Sequence, residues 1–426
     1  MNKKHIHFMG VGGAGCSAVF AIAHSLGYQV SGCDKEKWSP YLDNKLAKLV
    51  SVGHSPDHLK GVDLLVYSPA IPAYDTQNEE LLTAKKKGIE AVPWEQFVAK
   101  ELLVDKFVIA IAGTHGKSTV TAMAAFILEK AGLDPTCLVG AIVNAWERNY
   151  RVGKSKYFVI EADEYSEKFL LFPADIAAVT NIEFDHPEYF ADFEKLKAAF
   201  GKFVKTLKKG SILITGPKVG LENPNGETIQ VSKPANFDLK MVGEFNQMNA
   251  AVAAAVAKKL VIREEIIQKA LESFSGLVRR FEFKGEEKEV LVFDDYAHHP
   301  TAVLATSKAA REKFPNQKIW LVFQPHLFSR TKALFGEFVE SFEKSPVDEI
   351  IITDIFGARE KDTGEVSSTD LVKTIKGKQV KYLPNIEEAA TYITKEAFAG
   401  DIVITMGAGD IYKLPEMLLK KLGNKI

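Results

Sequence analysis

The segment at residues 107–120, FVIAIAGTHGKSTV, constrains the fold of this chain more than any other part of its sequence. An apolar run ends at Gly113, a glycine-rich loop follows, and a helix-forming segment then continues to Gly132. A strand, a glycine loop and a helix in that order direct backbone amides at an anion, and Lys117 adds a positive charge. Although Ile111 stands where the usual phosphate-loop consensus has glycine, the pattern predicts a nucleoside triphosphate site.

This loop supplies most of the residues that we expect to bind the nucleoside triphosphate. The hydroxyl of Ser118 is a suitable ligand for Mg²⁺, and a ligand-free strand–turn–helix rarely carries Gly-Lys-Ser at the start of the helix. The predicted nucleotide-binding residues of the loop are Gly113, Thr114, His115, Gly116, Lys117, Ser118 and Thr119.

Composition favours a multidomain protein and gives no support for a charge-driven partner. At 426 residues the chain is too long for one ordinary hydrophobic core. Its net charge of −1 gives no electrostatic attraction to nucleic acid or to an anionic membrane. No apolar run reaches the roughly 18 residues that span a bilayer. Cys16, Cys33 and Cys137 are odd in number and are not spaced like a metal or redox motif, which indicates a reducing compartment. We therefore expect a cytoplasmic protein without a nucleic-acid or membrane partner.

Strands alternate with helices along the whole chain, which predicts parallel sheets in three α/β domains. We place the domains at residues 1–104, 105–288 and 289–426. In the first two domains the predicted strands are 5–9, 28–33, 62–67, 89–92, 107–112, 157–160, 176–180 and 211–215. The third domain repeats the alternation in LVFDDYAHHP, KIWLVFQPH, EIIITDIF, QVKYL and IVITMGAG.

A second glycine turn, GVGGAG at residues 10–15, lies between the first strand and the first helix. It fits the dinucleotide-binding pattern, with Asp34 at the end of the next strand. The same turn would also let backbone amides approach the diphosphate of a UDP-linked ligand, or it would be a tight turn without a ligand. The pattern leaves these three alternatives open.

Acidic and histidine side chains follow two strands of the central domain. Glu161 comes after the strand YFVI, and His186 comes after the strand that ends near residue 180. Ligands of open parallel sheets bind at the carboxyl ends of the strands, where both residues fall. Together with Ser118 they predict a Mg²⁺ site beside the triphosphate, although a single acid at such a place is often only a solvated loop charge.

The order of eight short motifs gives the chain a family resemblance. They are HIHFMGVGGAGCS, AGTHGKSTV, EADE, TNIEFDH, GLVRRFE, DDYAHHPT, FQPHLFSRT and MGAGDI. In this order the chain resembles the Mur ligases, the ATP-dependent amide-forming enzymes of peptidoglycan precursor synthesis, over essentially its whole length. The resemblance implies a Rossmann-like N-terminal domain that binds a UDP-sugar, a central P-loop-type ATPase domain, and a Rossmann-like C-terminal domain that closes on ATP and binds the amino acid.

The resemblance also implies a reaction. It is strongest to the branch that joins L-alanine to the lactyl carboxylate of UDP-N-acetylmuramate. There the carboxylate attacks the γ-phosphate of ATP to give an acyl phosphate, and the amine then displaces phosphate. The implied cofactor is Mg²⁺, the partners are these small-molecule substrates, and the assembly is a monomer or homodimer.

Individual roles follow from the same resemblance. The implied catalytic residues are Lys117, His186 and Arg280, and the implied metal ligands are Ser118, Glu161 and His186. Outside the phosphate loop, ATP would be bound by Asn246, Asn249, Arg280 and Asp295. The UDP-sugar would be bound by Gly10, Gly12, Gly13, Gly15, Asp34 and Ser68. The amino acid would be bound by His298, His326 and Arg330.

The sequence departs from the family pattern at two positions and leaves other functions open. Phe245 stands where the family commonly has His, and Leu327 replaces an Arg that helps to bind the amino-acid carboxylate, so Arg330 would carry that charge alone. Within the family, the alternatives are a different small amino acid (glycine or L-serine) or a recycling ligase that adds a tripeptide. From other classes, the alternatives are an NAD-dependent oxidoreductase and a nucleotide-binding protein without turnover.

Overall fold

The computed structural model describes residues 4–36 and 39–424, which form a mixed α/β protein with three sheets. Contacts within the chain group these residues into two compact units. The first unit holds the described residues up to Ile182, with Lys197–Asp238 and Asn249–Ser275. The second holds Glu183–Leu196, Leu239–Met248 and the described residues from Gly276 onward.

The first sheet is fully parallel, with strand order β3-β2-β1-β4-β5. Its strands are β1 (His5–Met9), β2 (Gln29–Asp34), β3 (Val50–Val52), β4 (Leu64–Tyr67) and β5 (Glu90–Pro93). The helices of this region are α1 (Ala14–Ser25), α2 (Ala70–Tyr74), α3 (Glu79–Lys87) and α4 (Trp94–Phe97), with 3₁₀ turns at Leu46–Leu49 and Pro56–Leu59 and a π-helical turn at Val98–Leu102. Helix α3 has favourable ends, because Asn78 caps its first turn and Gly88 ends it with a positive φ.

The second sheet has seven strands in the order β12-β11-β10-β6-β9-β7-β8. They are β6 (Phe107–Ala112), β7 (Thr136–Val143), β8 (Arg148–Arg151), β9 (Tyr157–Glu161), β10 (Ile176–Val179), β11 (Ile212–Thr215) and β12 (Glu227–Gln230). The helices of this stretch are α5 (Lys117–Lys130), α6 (Phe193–Lys205), α7 (Glu244–Lys259) and α8 (Glu264–Ser273), with a 3₁₀ segment at Tyr165–Leu171. Strand β6 lies at the centre and is almost entirely buried, as its unbroken apolar run predicts.

The third sheet has the order β13-β14-β18-β15-β16-β17. Its strands are β13 (Glu282–Glu287), β14 (Val290–Asp295), β15 (Ile319–Phe323), β16 (Glu349–Ile352), β17 (Gln379–Tyr382) and β18 (Ile402–Met406). Its helices are α9 (Pro300–Lys313), α10 (Phe328–Ala333), α11 (Phe335–Lys344), α12 (Ser368–Thr374), α13 (Ile386–Glu396) and α14 (Leu414–Gly423), with a 3₁₀ turn at Asp410–Lys413. Two apolar clusters pack against this sheet, one around Phe323 and Phe338 and the other around Trp320 and Leu418.

The α/β fold class and the three sheets confirm the sequence prediction. The second and third sheets each add one antiparallel pairing that the alternation of strands and helices did not indicate, β8 with β7 and β13 with β14. The domain boundaries at residues 104 and 288 stay predictions, although β13 precedes the second boundary and pairs within the third sheet. Among the helices that the structure describes, none combines the length and the apolar character that a membrane crossing requires.

Candidate active site

The phosphate loop lies between the buried strand β6 and helix α5. Gly113 and Gly116 have φ values of 127° and 82°, which favour glycine over other residues. A Cβ atom on Gly113 would lie 2.1 Å from Thr180 Oγ1, and one on Gly116 would lie 2.4 Å from Asn249 Oδ1. The loop therefore needs glycine at both places for space as well as for backbone conformation. Asn249, one of the predicted ATP ligands, lies against this loop.

Two residues at the end of β10 hold this loop in place. The backbone amide of His115 donates to Asn181 Oδ1 at 2.9 Å, and that of Thr114 donates to the Asn181 carbonyl at 3.0 Å. The Thr180 hydroxyl donates to the His115 carbonyl at 2.6 Å. Helix α5 begins at Lys117 and is capped by Gly116, which has no side chain to occupy the first-turn amides. These amides form the positive end of the helix dipole, which suits a phosphate.

Lys117 is held beside the loop by Glu164. Its Nζ atom lies 2.7 and 2.9 Å from the two carboxylate oxygens of Glu164 and 2.8 Å from the Gly113 carbonyl oxygen. Burial acts to lower the pKa of Lys117, but the carboxylates of Glu164 and Asp163 outweigh it and raise the pKa above its ordinary value. Lys117 is therefore a permanent cation at the place where a triphosphate would bring negative charge.

Ser118 and Glu161, the two predicted metal ligands of this unit, lie together. Ser118 Oγ donates to Glu161 Oε1 at 3.1 Å, and the amide of Gly140 donates to Glu161 Oε2 at 2.6 Å. Burial raises the pKa of Glu161, while Lys117 and the two hydrogen bonds oppose that rise. A hydroxyl and a carboxylate beside a phosphate loop are hard oxygen donors, so this pair fits Mg²⁺.

His186, the third predicted metal ligand, lies in the second unit. It directly follows Asp185, whose Oδ1 accepts a hydrogen bond from the His186 amide at 2.7 Å, and its own φ is 58°. Its Nδ1 lies 3.3 Å from Glu188 Oε1, and Glu188 also pairs with Arg359. A carboxylate on one ring nitrogen orients the ring and makes the other nitrogen a better metal ligand.

The three predicted amino-acid ligands are brought together in the second unit. Arg330 Nε lies 2.7 Å from Asp185 Oδ1, and the exposed fractions of the two side chains are only 2% and 7%. Arg330 Nη1 lies 3.3 Å from His326 Nδ1, and the rings of His326 and His298 are 6.1 Å apart between centroids. Asp185 is thus the buried partner that orients Arg330.

The charges of this group are set by burial and by Arg330. Burial and then the Arg330 cation hold the pKa of His298 well below its usual range, and the same two causes lower that of His326 to about 4. Burial alone would raise the pKa of Asp185, but Arg330 and the neighbouring histidines hold it well below its usual value. At neutral pH the group is therefore one ion pair flanked by two neutral imidazoles.

Arg280 and Asp295, both predicted ATP ligands, are also neighbours. The two carboxylate oxygens of Asp295 accept hydrogen bonds from the amides of Phe281 and Ala297, each at 2.7 Å. Burial raises the pKa of Asp295 to about 6 against the opposing charge of Arg280. The Arg280 guanidinium lies 5.1 Å from the centre of the Tyr296 ring. Asn246, on α7, donates from its side-chain amide to the Val242 carbonyl at 2.8 Å.

The N-terminal glycine turn is closed by Asp34. Its Oδ2 accepts a hydrogen bond from the Gly12 amide at 2.7 Å. Gly10 has a φ of 80°, and a Cβ there would lie 2.8 Å from Ser68 Cβ. A Cβ on Gly15 would lie 2.5 Å from the Trp94 ring. The predicted glycines, Asp34 and Ser68 therefore form one cluster around the start of α1, and Gly13 completes the turn with an amide hydrogen bond to the Gly10 carbonyl.

Comparison with known proteins decides the family. Models of three Mur ligase regions match the chain: the catalytic domain at residues 5–103, the middle domain at 111–218 and the glutamate ligase domain at 279–409. A UDP-N-acetylmuramate–L-alanine ligase from Acetivibrio thermocellus is 40% identical over 98% of this chain and 96% of its own length. The chain belongs to the Mur ligase family.

Other members of the Mur ligase family are similar over the same span. A UDP-N-acetylmuramate–L-alanine ligase from Clostridium tetani is 38% identical over 98% of each chain. The crystal structure of the UDP-N-acetylmuramate–alanine ligase from Thermotoga maritima has a TM-score of 0.80 at 26% identity, covering 99% of each chain. The three-domain α/β architecture implied by the sequence is therefore that of a Mur ligase.

Several residues of this Mur ligase site were missed by sequence reasoning. Glu164, Asp185 and Asn181 carry the ion pairs and hydrogen bonds described above, yet none was assigned a role. All three follow apolar strands, so the rule that ligands bind at strand ends could have indicated them. Leu327 is buried and has a φ of 70°, and its effect on amino-acid binding stays a prediction.

Proposed function

We propose that this chain is an ATP-dependent ligase that joins L-alanine to the lactyl carboxylate of UDP-N-acetylmuramate and releases ADP and phosphate. The observation that carries the proposal is full-length similarity, at 36–40% identity, to ligases named for these two substrates. The phosphate loop, beside which Glu164 holds the Lys117 ammonium group, supports the use of ATP.

The first half-reaction needs positioning and charge compensation more than covalent help from the protein. A carboxylate oxygen of the sugar nucleotide forms a bond to the γ-phosphorus as the bond from phosphorus to the ADP oxygen breaks. Lys117 and the first-turn amides of α5 would stabilise the negative charge that develops on the phosphoryl oxygens. We propose that Ser118 and Glu161 bind one Mg²⁺ ion and that His186 binds a second, and bound Mg²⁺ would further offset that charge.

The second half-reaction needs an amine close to the acyl phosphate. The neutral amine nitrogen forms a bond to the acyl carbon and gives a tetrahedral intermediate. The bond from this carbon to the phosphate oxygen then breaks, phosphate leaves, and the nitrogen loses a proton to solvent. We propose that His298, His326 and Arg330 bind the amino acid. The neutral rings would not repel its ammonium group before deprotonation, and the Asp185–Arg330 pair would fix the position of the guanidinium that faces its carboxylate.

The remaining assignments rest on the same proposal. Arg280, Asn246, Asn249 and Asp295 would complete the ATP site, and the turn with Gly10, Gly12, Gly13, Gly15, Asp34 and Ser68 would bind the UDP-sugar. We propose domains at residues 1–104, 105–288 and 289–426. The enzyme would work in the cytoplasm, where ATP and nucleotide sugars are available, as a monomer or homodimer.

Steady-state measurement of phosphate release tests the proposal. Release should require UDP-N-acetylmuramate, ATP and L-alanine together, with the product identified by its mass. Hydrolysis of ATP that does not depend on the sugar nucleotide would contradict the ligase assignment, and so would binding of ATP without turnover. Reduction of NAD in the presence of the sugar nucleotide would instead support the oxidoreductase alternative.

A further inference from the structure

A group of side chains of the types that bind metal ions lies in the N-terminal region, apart from the Ser118–Glu161 pair. Its residues have no role in the proposed reaction. His7 lies on β1 and Cys33 on β2, while His58 belongs to the 3₁₀ turn Pro56–Leu59 and Glu80 to α3. One ligand atom from each of the four residues lies within 4.8 Å of the others. Four elements distant in sequence thus present two imidazoles, one thiol and one carboxylate to a common point.

Three of these atoms are buried polar groups without a good hydrogen bond. In the described part of the chain, His7 Nε2, His58 Nδ1 and Glu80 Oε1 have no hydrogen-bond partner of acceptable geometry. They lie close to one another instead: His7 Nε2 is 3.0 Å and His58 Nδ1 is 3.4 Å from Glu80 Oε1. Leaving such groups unsatisfied is costly, and a single cation between them would satisfy all three.

The outer contacts of the group are those of a preorganised metal site. The second ring nitrogen of His7, Nδ1, lies 2.8 Å from Ser31 Oγ. The second oxygen of Glu80, Oε2, accepts a hydrogen bond from the Ser55 amide at 3.0 Å. Hydrogen bonds of this kind fix the orientation of metal ligands and turn the free atom of each towards the ion.

We propose that His7, Cys33, His58 and Glu80 bind one Zn²⁺ ion as a structural site. Nitrogen, sulfur and oxygen ligands in a tetrahedron are the preferred set for zinc, with ligand atoms about 2.0–2.3 Å from the ion and hence roughly 3.3–3.8 Å from one another. Mg²⁺ prefers oxygen ligands alone, so this site and the Ser118–Glu161 pair select different metals. The ion would tie β1 and β2 to the 3₁₀ turn and to α3.

Binding to this site releases a proton. A cysteine thiol is mostly protonated at neutral pH, whereas the form that binds a metal is the thiolate. Zinc takes the place of this proton on sulfur and the proton passes to solvent, so that one S–H bond breaks as one Zn–S bond forms. Cys33 Sγ also lies 3.2 Å from His54 Nδ1, a contact that would remain available to the bound thiolate.

Metal titration of the full chain tests the proposal. Protein freed of metal by a chelator is titrated with Zn²⁺ in excess Mg²⁺ and without nucleotide, so that the ATP site does not compete. We expect one zinc ion to bind per chain. The measured heat of binding should vary with the ionisation enthalpy of the buffer, which reports the release of a proton. Co²⁺ in place of zinc should give the near-ultraviolet absorption of a cobalt–thiolate bond. Absence of stoichiometric binding, or a cobalt spectrum without the thiolate band, would overturn the proposal.

Variants locate the ion. Cys33→Ser and Glu80→Gln should each weaken zinc binding by about 100-fold or more, and Cys33→Ser should remove the cobalt–thiolate band. Cys137→Ser is the matched control, because Cys137 is also buried but lies in β7, outside the cluster. Zinc should raise the melting temperature of the wild type and of Cys137→Ser but not that of Cys33→Ser. Equal zinc affinity in all variants would place the ion elsewhere and contradict the assignment, whether or not the ligase proposal holds.

Discussion

Lys117 and Glu164 form a buried ion pair at the phosphate loop, with Lys117 Nζ 2.7 Å from Glu164 Oε2 and the Glu164 side chain only 1% exposed. The carboxylate fixes the ammonium group beside the Gly113 carbonyl, so that its charge is in place before a phosphate arrives. A charge held in advance needs no reorganisation during phosphoryl transfer, which is the main requirement of such a site. The pair therefore links the stability of the loop to its proposed catalytic role.

Removing Lys117 should affect both stability and turnover, and the two effects can be separated. We expect Lys117→Met to lower kcat by about 10²–10³-fold, because it removes one preorganised charge. It should also destabilise the fold by about 3–5 kcal/mol, because Glu164 is left buried without its partner. The double variant Lys117→Met/Glu164→Gln should regain most of this stability but no activity. Near-wild-type ligation by the folded double variant would contradict the role of Lys117.

The Asp185–Arg330 pair should behave as a buried ion pair in the same way. Arg330→Met should lower the free energy of unfolding by about 3–5 kcal/mol and raise the KM for L-alanine. The exposed pair of Lys332 with Glu365 is the control, and Lys332→Met should leave both the free energy of unfolding and the KM nearly unchanged. Chemical denaturation and steady-state kinetics measure both quantities. An Arg330→Met variant that is as stable as Lys332→Met would show that the pair is not buried in solution.

His326 should make the stability of the protein depend on pH. Its pKa is lowered to about 4 in the folded state from an ordinary value near 6.5, so folding favours the neutral ring. The resulting stabilisation is complete above about pH 6.5 and is lost progressively as the pH falls from there through 4, a total of about 3 kcal/mol at about 1.36 kcal/mol per pKa unit. NMR titration of the ring protons, assigned with His326→Asn, measures the pKa directly. A midpoint at or above 6.5 would contradict the burial and charge effects described for this ring.

Glu161 should control the requirement for magnesium. Glu161→Gln keeps the shape of the side chain but removes the charge that we propose binds Mg²⁺ with Ser118. We expect the Mg²⁺ concentration for half-maximal rate to rise by about tenfold or more, since about 1.4 kcal/mol corresponds to a factor of ten. Glu167→Gln is the control, because Glu167 pairs with the exposed Lys202 instead. An unchanged magnesium dependence in Glu161→Gln would remove Glu161 from the proposed ligand set.

Two glycines distinguish ligand binding from backbone strain in the N-terminal turn. Gly10 and Gly61 both have positive φ, at 80° and 69°, but only Gly10 would bring a Cβ close to another residue, Ser68. We expect Gly10→Ala to weaken binding of UDP-N-acetylmuramate by tenfold or more and Gly61→Ala to leave it nearly unchanged. Calorimetric titration measures both, and NAD(H) should give no heat with either. Tight binding of NAD(H) by the wild type would contradict the UDP-sugar assignment.

Local pattern was sufficient to predict most of the strands and the two glycine turns, but not β3, β7, β8, β12 or β13. Strand β6 was predicted at its observed bounds, because an unbroken run of six apolar residues followed by a glycine loop is typical of a buried strand. The antiparallel strand β8 was missed, because the segment RNYR is polar and the turn before it, NAWE, contains neither glycine nor proline. Its pairing depends on β7, which sequence periodicity does not reveal.

Partners of the site residues were harder to predict than the residues themselves. The motif GTHGKST predicts Lys117 as a site residue, but nothing in its spacing indicated that Glu164 would hold the ammonium group. Cys33 and His58 are far from any metal motif in sequence, and only the fold brings them together. Leu327 has a φ of 70° and a buried side chain, a conformation that the motif FQPHLFSRT did not indicate. Such relationships depend on tertiary packing, which a single sequence does not encode in short motifs.

Competition between amine substrates tests the proposed function most directly. The full chain is incubated with UDP-N-acetylmuramate, ATP, Mg²⁺ and equal concentrations of L-alanine, glycine, L-serine and the free tripeptide that a recycling ligase would use. The products are resolved by mass. The L-alanine adduct should dominate, and folded Lys117→Met/Glu164→Gln protein should form none of the four products. A dominant tripeptide product would make the chain a recycling ligase, and absence of every adduct despite consumption of ATP would contradict the proposed reaction.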